Sequence, residues 1–567
     1  FTRFIYPIFF KSVSDSSGKK ESKKKSNKIP TTKSYNNFNG KIIRHIYIIT
    51  LDPFGYSIAD SMALPKNFFS KTANNLHIKT REITIRNLLL IKQNQVFDPM
   101  LVAESERLVR RQSYVRDVSF FIISLQHQPD SIDILIRELD HWSIIPEIGA
   151  STSQVTIKLG DQNFLGLGHE SQNSLTRFHS KGDYAYNANY YIPNIKNTYI
   201  NSTLHYGQDE LRNFIKRFAI DRPFFSPVTK WAAGISFVQQ FRKDSVLSED
   251  LVYLPQNIKF NAQDYWAGWA VQIFKGKTSG SRTTNFISAF RFFNMHFLEE
   301  PIELIDPEQN YADENLYLAS FGISTRKYVQ DKYIFKYGII EDVPIGKVYN
   351  ITSGYQKRNN TGRLYLGARF SLGNYYPWGY LNSNFEYGTF FHKSKVEQSV
   401  LTASLTYFTR LKEIGNWKIR QFVKPQLTIG IKSTTYDSLT INDGFGLDGF
   451  NSPILSGTKR LLLTLQSQIY APWKVIGFRF SPYVVCSFGA LGNASEGFKN
   501  SKVYTQLGLG VMVKNENLVL NTFQISLSFY PIIPGNGTNV FKFNSVKSTD
   551  FGFNDFETGK PATVVFQ

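Results

Sequence analysis

The residue types that usually carry catalysis are thinly spread in this chain. Its 567 residues include nine histidines and a single cysteine, Cys486. A G-x-S-x-G stretch, which would hold a serine at a strained strand-to-helix turn, is absent. So are an H-E-x-x-H zinc pair and a G-x-x-x-x-G-K-S/T phosphate loop. A lone thiol makes neither a disulfide framework nor a cysteine-rich metal site. His127, His141 and His169 lie near the expected domain junction, and none of the nine histidines forms a ligand pair at helical spacing. They read as structural or solvated groups. The sequence therefore implies no catalytic residue, no metal and no cofactor. Function must come from shape and from main-chain pairing.

The elements that would supply that shape are strands. Aromatic residues make up 15% of the chain, with 31 Tyr and 48 Phe. Tyr and Trp favour membrane–water interfaces, where the ring body and the polar tip are both satisfied. Mean hydropathy is −0.26, and no apolar run approaches the ~20 residues that a spanning helix needs. If the chain crosses a membrane, closed β-structure is the way left to satisfy its backbone. From Trp142 onward, segments of roughly ten residues alternate apolar and polar and are separated by polar or Gly-rich turns, as in a transmembrane barrel. Arg363–Gly373 and Arg460–Tyr470 are clear examples. Sixteen to twenty such segments are expected, with even values favoured.

Three regions emerge. Residues 1–39 hold an apolar stretch, Phe4–Phe10, then a Lys/Ser-rich run with Lys19-Lys20-Glu21-Ser22-Lys23-Lys24-Lys25. The apolar stretch reads either as the remnant of a signal-peptide core or as an ordered strand, and the basic run as a solvated linker. Residues 40–141 read as a small α/β domain. A β-branched strand covers 41–50, and helices are expected over 81–91 and 98–111. The second starts at Asp98-Pro99, an N-cap acceptor followed by proline at the first helical position. Two strands, 115–125 and 131–139, are joined by a turn at Gln128-Pro129-Asp130. Residues 142–567 form the barrel.

The formal net charge is +20. Lumen and loop lysines account for it most simply. Attraction to anionic lipid headgroups or to an acidic client is the second reading. Nucleic-acid binding is disfavoured, because no basic helix presents base-reading side chains.

In this order the segments resemble the BamA/TamA/FhaC superfamily of outer-membrane insertases and translocases. The stretch 85–122 looks like part of a POTRA domain. The sequence at 160–170, GDQNFLGLGHE, resembles the family's early periplasmic turn, through Asp161, Asn163, Phe164, Gly166 and Gly168. The stretch 444–470 resembles its extracellular loop that folds into the lumen, here about 438–460. The family's loop carries Arg-Gly-aromatic, whereas this chain has Asp448, Gly449 and Phe450. The family's wall pattern, aromatic-x-Asp-x-Gly, falls on Val485-Cys486-Ser487-Phe488-Gly489, so Val485, Ser487 and Gly489 are the matching positions. Both partners of a buried ion pair are thus replaced together. That is physically sensible, since losing one alone leaves an uncompensated charge. Lys459 and Arg460 are candidate new partners for Asp448.

The resemblance implies a mainly β protein: a transmembrane antiparallel β-barrel preceded by one α/β POTRA-like domain in the periplasm. It implies outer-membrane protein assembly, insertion or translocation through a laterally gated barrel, with a seam between 142–151 and a last strand in 547–567. Implied partners are outer-membrane lipids, unfolded or extended client proteins, and other outer-membrane or periplasmic subunits. A single POTRA-like unit is fewer than a bulk assembly machine carries. A passive or gated pore, or a structural subunit of a larger complex, is the alternative.

Overall fold

The computed structural model describes residues 33–566, apart from 59, 66–67, 151–153, 180–182, 248–252, 277, 303–305, 307–310, 360, 433–437, 476–477, 516–522 and 550. The Phe4–Phe10 stretch and the basic run lie outside the described residues.

The N-terminal unit is built on three strands: β1 (Ile42–Leu51), β2 (Val115–Leu125) and β3 (Gln128–Asp140). They form one sheet in the order β1-β3-β2, with β1 parallel and β2 antiparallel to β3. Helices α1 (Phe68–Leu76), α2 (Glu82–Arg86) and α3 (Pro99–Arg110) precede β2. Helix α3 starts as its sequence demands: Asp98 accepts from the Met100 N–H at 3.0 Å and Pro99 opens the first turn. Its apolar stripe, with Val102 and Val109, packs on Ile43, Val118, Phe120, Ile134 and Ile136 of the sheet.

Three local expectations need correction. Helix α2 stops at Arg86, because Leu88, Leu89 and Ile91 turn into the core on irregular backbone. Helix α1 lies within a stretch that had shown no helix signal. The β2–β3 turn falls at Gln126–His127, two residues before Pro129. The register shifts between Ser124 and Leu125, which places Pro129 in a bulge where no ladder N–H is required.

The larger unit is a closed barrel. Its first arms are β4 (Ile144–Ala150), β5 (Gln154–Phe164), β6 (His169–Phe178), β7 (Tyr184–Ile192), β8 (Asn201–Gln208) and β9 (Phe214–Arg222). Longer arms follow: β10 (Trp231–Leu247), β11 (Tyr253–Gln272), β12 (Thr284–Glu299), β13 (Glu314–Lys332), β14 (Ile340–Arg358), β15 (Thr361–Tyr376) and β16 (Gly379–His392). Next come β17 (Lys395–Thr409), β18 (Lys412–Ile414), β19 (Trp417–Ile431), β20 (Lys459–Tyr470), β21 (Lys474–Val475) and β22 (Phe478–Gly492). The last are β23 (Val503–Asn515), β24 (Phe523–Ile533) and β25 (Gly537–Phe543). Of the 22 strands described in the ring, β18 continues β17 against β19, and β21 continues β20 against β22. The wall thus has 20 arms, at the top of the expected range.

Alternation along the arms separates lipid from lumen. On β13, Tyr317, Phe321 and Ile323 are exposed, while Ser320, Ser324 and Arg326 are buried inside. On β20, Leu461 and Leu465 face out and Gln466 and Gln468 face in. A belt of exposed large apolar side chains on a closed ring is the surface that a bilayer solvates. No described helix is long and apolar enough to cross a membrane. The strands do the crossing.

Candidate functional site

Three features meet around the lumen: the junction that closes the ring, two segments that fill the interior, and the small domain beneath.

The ring closes between β25 and β4. Each has 7 residues, whereas β11 has 20 and β13 and β14 have 19 each. A tilted strand needs about 9–11 residues to cross the hydrocarbon core, so both closing strands fall short. Strand β4 also contains Pro146, which cannot donate to a ladder, and Gly149, which brings no side chain to pack. Phe541 and Phe543 of β25 are exposed. An under-length pair of edge strands is a template for pairing with another chain.

The expected last strand in 547–567 is not a strand. Phe543 pairs with Leu527, and the chain then leaves the wall at Asn544. Asn544 adopts a left-handed backbone (φ 53°) that asparagine tolerates. Its N–H donates to the Ser526 carbonyl at 2.8 Å, and its side-chain oxygen accepts from the Ser526 N–H at 3.1 Å. These bonds occupy the main chain of β24 just beyond β25. From there the C-terminal segment runs around the inner wall.

Inward-pointing side chains hold this segment mainly by its carbonyl oxygens. Tyr483 donates to Val546 at 2.9 Å, Gln466 to Ser548 at 3.0 Å and Lys424 to Phe551 at 2.9 Å. Asn382 donates to Asn554 at 3.2 Å and Ser324 to Phe556 at 2.6 Å. Arg369 reaches the carbonyls of both Asp555 and Glu557 at 3.2 Å, and Arg291 that of Pro561 at 3.1 Å. Ion pairs add to this. Arg326 meets Asp555 at 3.3 Å and Glu557 at 3.1 Å, and Lys560 meets Asp264. Phe551 and Phe553 enter an aromatic cluster with Phe335, Phe408 and Phe422. Phe556 lies over Gly373, where a Cβ would run into its ring.

The loop between β19 and β20 is the second filling. Ile441, Leu447 and Phe450 are buried with Leu462 of β20 and Tyr530 and Ile533 of β24. Asp448 is held by its backbone: its carbonyl accepts from Gln506 at 2.5 Å and from the Tyr530 hydroxyl. Gly449 has φ 73°, and a Cβ there would strike Ser545 and Tyr530. Its N–H donates to Asp443 at 2.7 Å and its carbonyl accepts from Lys542. Val485, Ser487 and Gly489 all point inward. Gly489 receives the loop, since a Cβ there would approach Ile441 and Leu447 at 3.4 Å. Val485 packs with Val546 of the C-terminal segment. Ser487 bonds Thr464 on the neighbouring arm at 3.4 Å. The wall positions and the loop tripeptide thus serve one luminal region, joined by packing and main-chain bonds. Arg460, a candidate partner for Asp448, donates to the Thr440 carbonyl at 2.9 Å.

The turn at 160–170 clamps the small domain. Asn163 is 1% exposed. It accepts from the Gly168 N–H at 2.7 Å and donates to Thr80 at 2.7 Å, while its own N–H donates to Asp161 at 2.9 Å. Gly166 (φ 72°) presses against Lys79, and its carbonyl accepts from the Arg81 N–H and the Thr84 hydroxyl. Phe164 sits edge-to-face with Tyr190. Gly168 (φ 72°) leaves room for the Tyr114 ring. Behind Thr80, Asp140 accepts from the Thr80 N–H at 2.8 Å and meets His77 at 2.9 Å. Burial and the neighbouring Asp140 push the Glu138 carboxyl well above its usual range.

Helix α3 supplies the other half of the junction, which the sequence did not disclose. Arg107 pairs with Glu104 at 2.6 Å, donates to the Phe225 carbonyl and lies 4.0 Å from the Tyr328 ring centroid. Arg110 donates through one guanidinium nitrogen to both Asp342 carboxylate oxygens at 2.8 and 2.9 Å, and through the other to Glu106. Asp98 takes the Arg282 fork; burial alone would raise its carboxyl, but that fork holds it below the usual range. Tyr199 and Asn194, in the β7–β8 turn, bond the Leu88 and Asn87 carbonyls at 2.9 and 2.7 Å. The small domain is therefore fastened to five successive turns on one rim, from β5–β6 to β13–β14.

The sequence matches no protein-family model and no curated protein. Solved structures similar to the chain include BamA from Haemophilus ducreyi lacking POTRA domains 1–3, at 12% identity and TM-score 0.32, covering 88% of this chain and 84% of that one. CdiB from Acinetobacter baumannii is 11% identical, with TM-score 0.36 and coverage of 92% and 91%. CdiB from Escherichia coli is 8% identical, with TM-score 0.37 and coverage of 91% and 78%. Each likeness spans most of both chains at low identity.

Proposed function

We propose that this chain is an outer-membrane β-barrel that assembles, inserts or translocates extended polypeptides at its seam. The observation that carries the reading is the closure of a 20-arm wall between its two shortest arms, 7 residues each. With 7 residues on each side, that junction has fewer ladder positions than the long arms can offer each other, and opening it exposes two edges onto which a client strand can add. The small domain is read as a single POTRA-like unit on the periplasmic side. Its outer strand β2 offers a second edge to an extended client. The exposed apolar belt is the surface for outer-membrane lipids. No step calls for a catalytic residue or a cofactor.

A pore is the second reading. The loop and the C-terminal segment inside the lumen weigh against a permanently open one. A cysteine pair joining β4 to β25 in a Cys486→Ser background tests the choice. Oxidised protein in liposomes is expected to lose client insertion or transport and to recover it on reduction. Undiminished activity with the disulfide formed, or a steady conductance that ignores both client and disulfide, overturns the seam reading.

A further inference from the structure

We propose that the inner wall carries a binding belt for unfolded, strand-free polypeptide bearing aromatic side chains, and that this chain's own C-terminal segment is its displaceable resident. The proposal deepens the seam reading and rests on it for the source of the ligand.

The belt is defined by what it touches. Seven wall side chains, on β12, β13, β15, β16, β19, β20 and β22, donate to eight main-chain carbonyls between Val546 and Pro561. A carbonyl is common to every residue, so these donors accept any sequence that follows the same path along the wall. Past Asn544 the described residues of the segment form no strand. The wall holds the segment by side chains that can release it without breaking the barrel ladder.

Selectivity comes from the rings. Phe551 and Phe553, two residues apart, enter the cluster with Phe408 and Phe422, and Phe556 takes the space left by Gly373. The chain turns beside these rings, since Gly552 has φ 58° and its N–H donates to the Thr549 carbonyl at 3.2 Å, so what the belt selects is closely spaced aromatics on a strand-free, locally turned backbone. The acidic contacts are looser: the Asp555 and Glu557 side chains are 34% and 32% exposed beside Arg326. A cavity of about 720 Å³, lined in part by Arg107, Arg116, Lys336, Phe553 and Asp555, lies between the small domain and the segment. It gives an incoming chain room beside the resident.

The test uses the full-length protein in detergent, as Cys486→Ser with Ala562→Cys carrying a spin label. Ala562 is exposed within the segment. Three synthetic peptides are added at up to millimolar concentration, because the resident is tethered and has a high effective concentration. One has the sequence of 544–566. The second shuffles its polar residues but keeps Phe551, Phe553, Phe556 and Phe566 in place. The third replaces those phenylalanines with serine. The first two are expected to mobilise the label with half-effects within about threefold of each other, and the third to be at least tenfold weaker. Arg369→Gln with Lys424→Gln, in protein that keeps its folded gel mobility, is expected to mobilise the label without any peptide. A shuffled peptide tenfold weaker than the native one would make the segment a dedicated plug and overturn the proposal, as would a label that no peptide moves. The readout needs neither client assembly nor an open seam, so its failure leaves the disulfide result standing.

Discussion

Asn163 fixes the junction between the two units at the scale of a single side chain. It satisfies the Gly168 N–H inside its own turn and the Thr80 hydroxyl across the interface, in a place closed to water. A buried donor left without a partner costs about 1–3 kcal/mol. Asn163→Ala is therefore expected to loosen the turn from the small domain, leave the barrel ladder intact and lower the domain's melting temperature by several degrees. Limited proteolysis between residues 141 and 144, with the barrel's heat-modified gel shift as control, reads the two effects separately. These residues were legible in the sequence because a tight turn must combine polar caps with glycine at positive φ. Their target was not. Thr80 and Lys79 lie in a stretch with no periodic signal, and nothing local says that a turn 80 residues later will land there. The same holds for Asp448. Its type was visible, but its carbonyl makes the bonds to Gln506 and Tyr530, and a carbonyl looks alike in every residue.

Among the elements, α3 does two jobs with two faces. Its apolar stripe closes the small domain's core, and its charged face, with Glu104, Glu106, Arg107 and Arg110 all buried, is pressed against the barrel rim. An amphipathic pattern shows that a helix has a polar face and does not say whether water or protein meets it. Arg110 sits between Asp342 and Glu106 with its side chain 4% exposed. Removing one partner of such a buried pair costs about 3–5 kcal/mol. Arg110→Ala is expected to detach the small domain from the β13–β14 rim, and Arg110→Met with Asp342→Leu to restore much of the attachment. A double-mutant cycle on domain release, followed by a fluorophore pair across the junction, measures the coupling. If the single variant is as stable as the parent, the rim contact contributes nothing. The strands themselves were the most readable elements, because a lipid face and a lumen face impose a period of two on every arm. The turn at Gln126–His127 and the short α2 were misread because proline and an apolar run have local meanings that a bulge and the core overrode.

For the whole molecule, strand number and membrane-type alternation were readable, whereas the path of the last residues was not. The sequence at Phe551 and Phe553 carries the alternating aromatics of a wall strand. It lies inside because Asn544 turns the chain inward and because wall glycines such as Gly373 leave space for its rings. Diverting those residues is what leaves β25 at 7 residues and the ring closed by an under-length strand. The luminal C-terminal segment and the under-length closing strand are thus two consequences of one turn. Hydrogen exchange of the full-length protein in lipid nanodiscs tests this most directly. Amides of β4 and β25 are expected to exchange at least about a hundredfold faster than those in the middle of β11, β13 and β14, since local opening costs least where the fewest ladder bonds break. Equal protection around the whole ring would contradict the account.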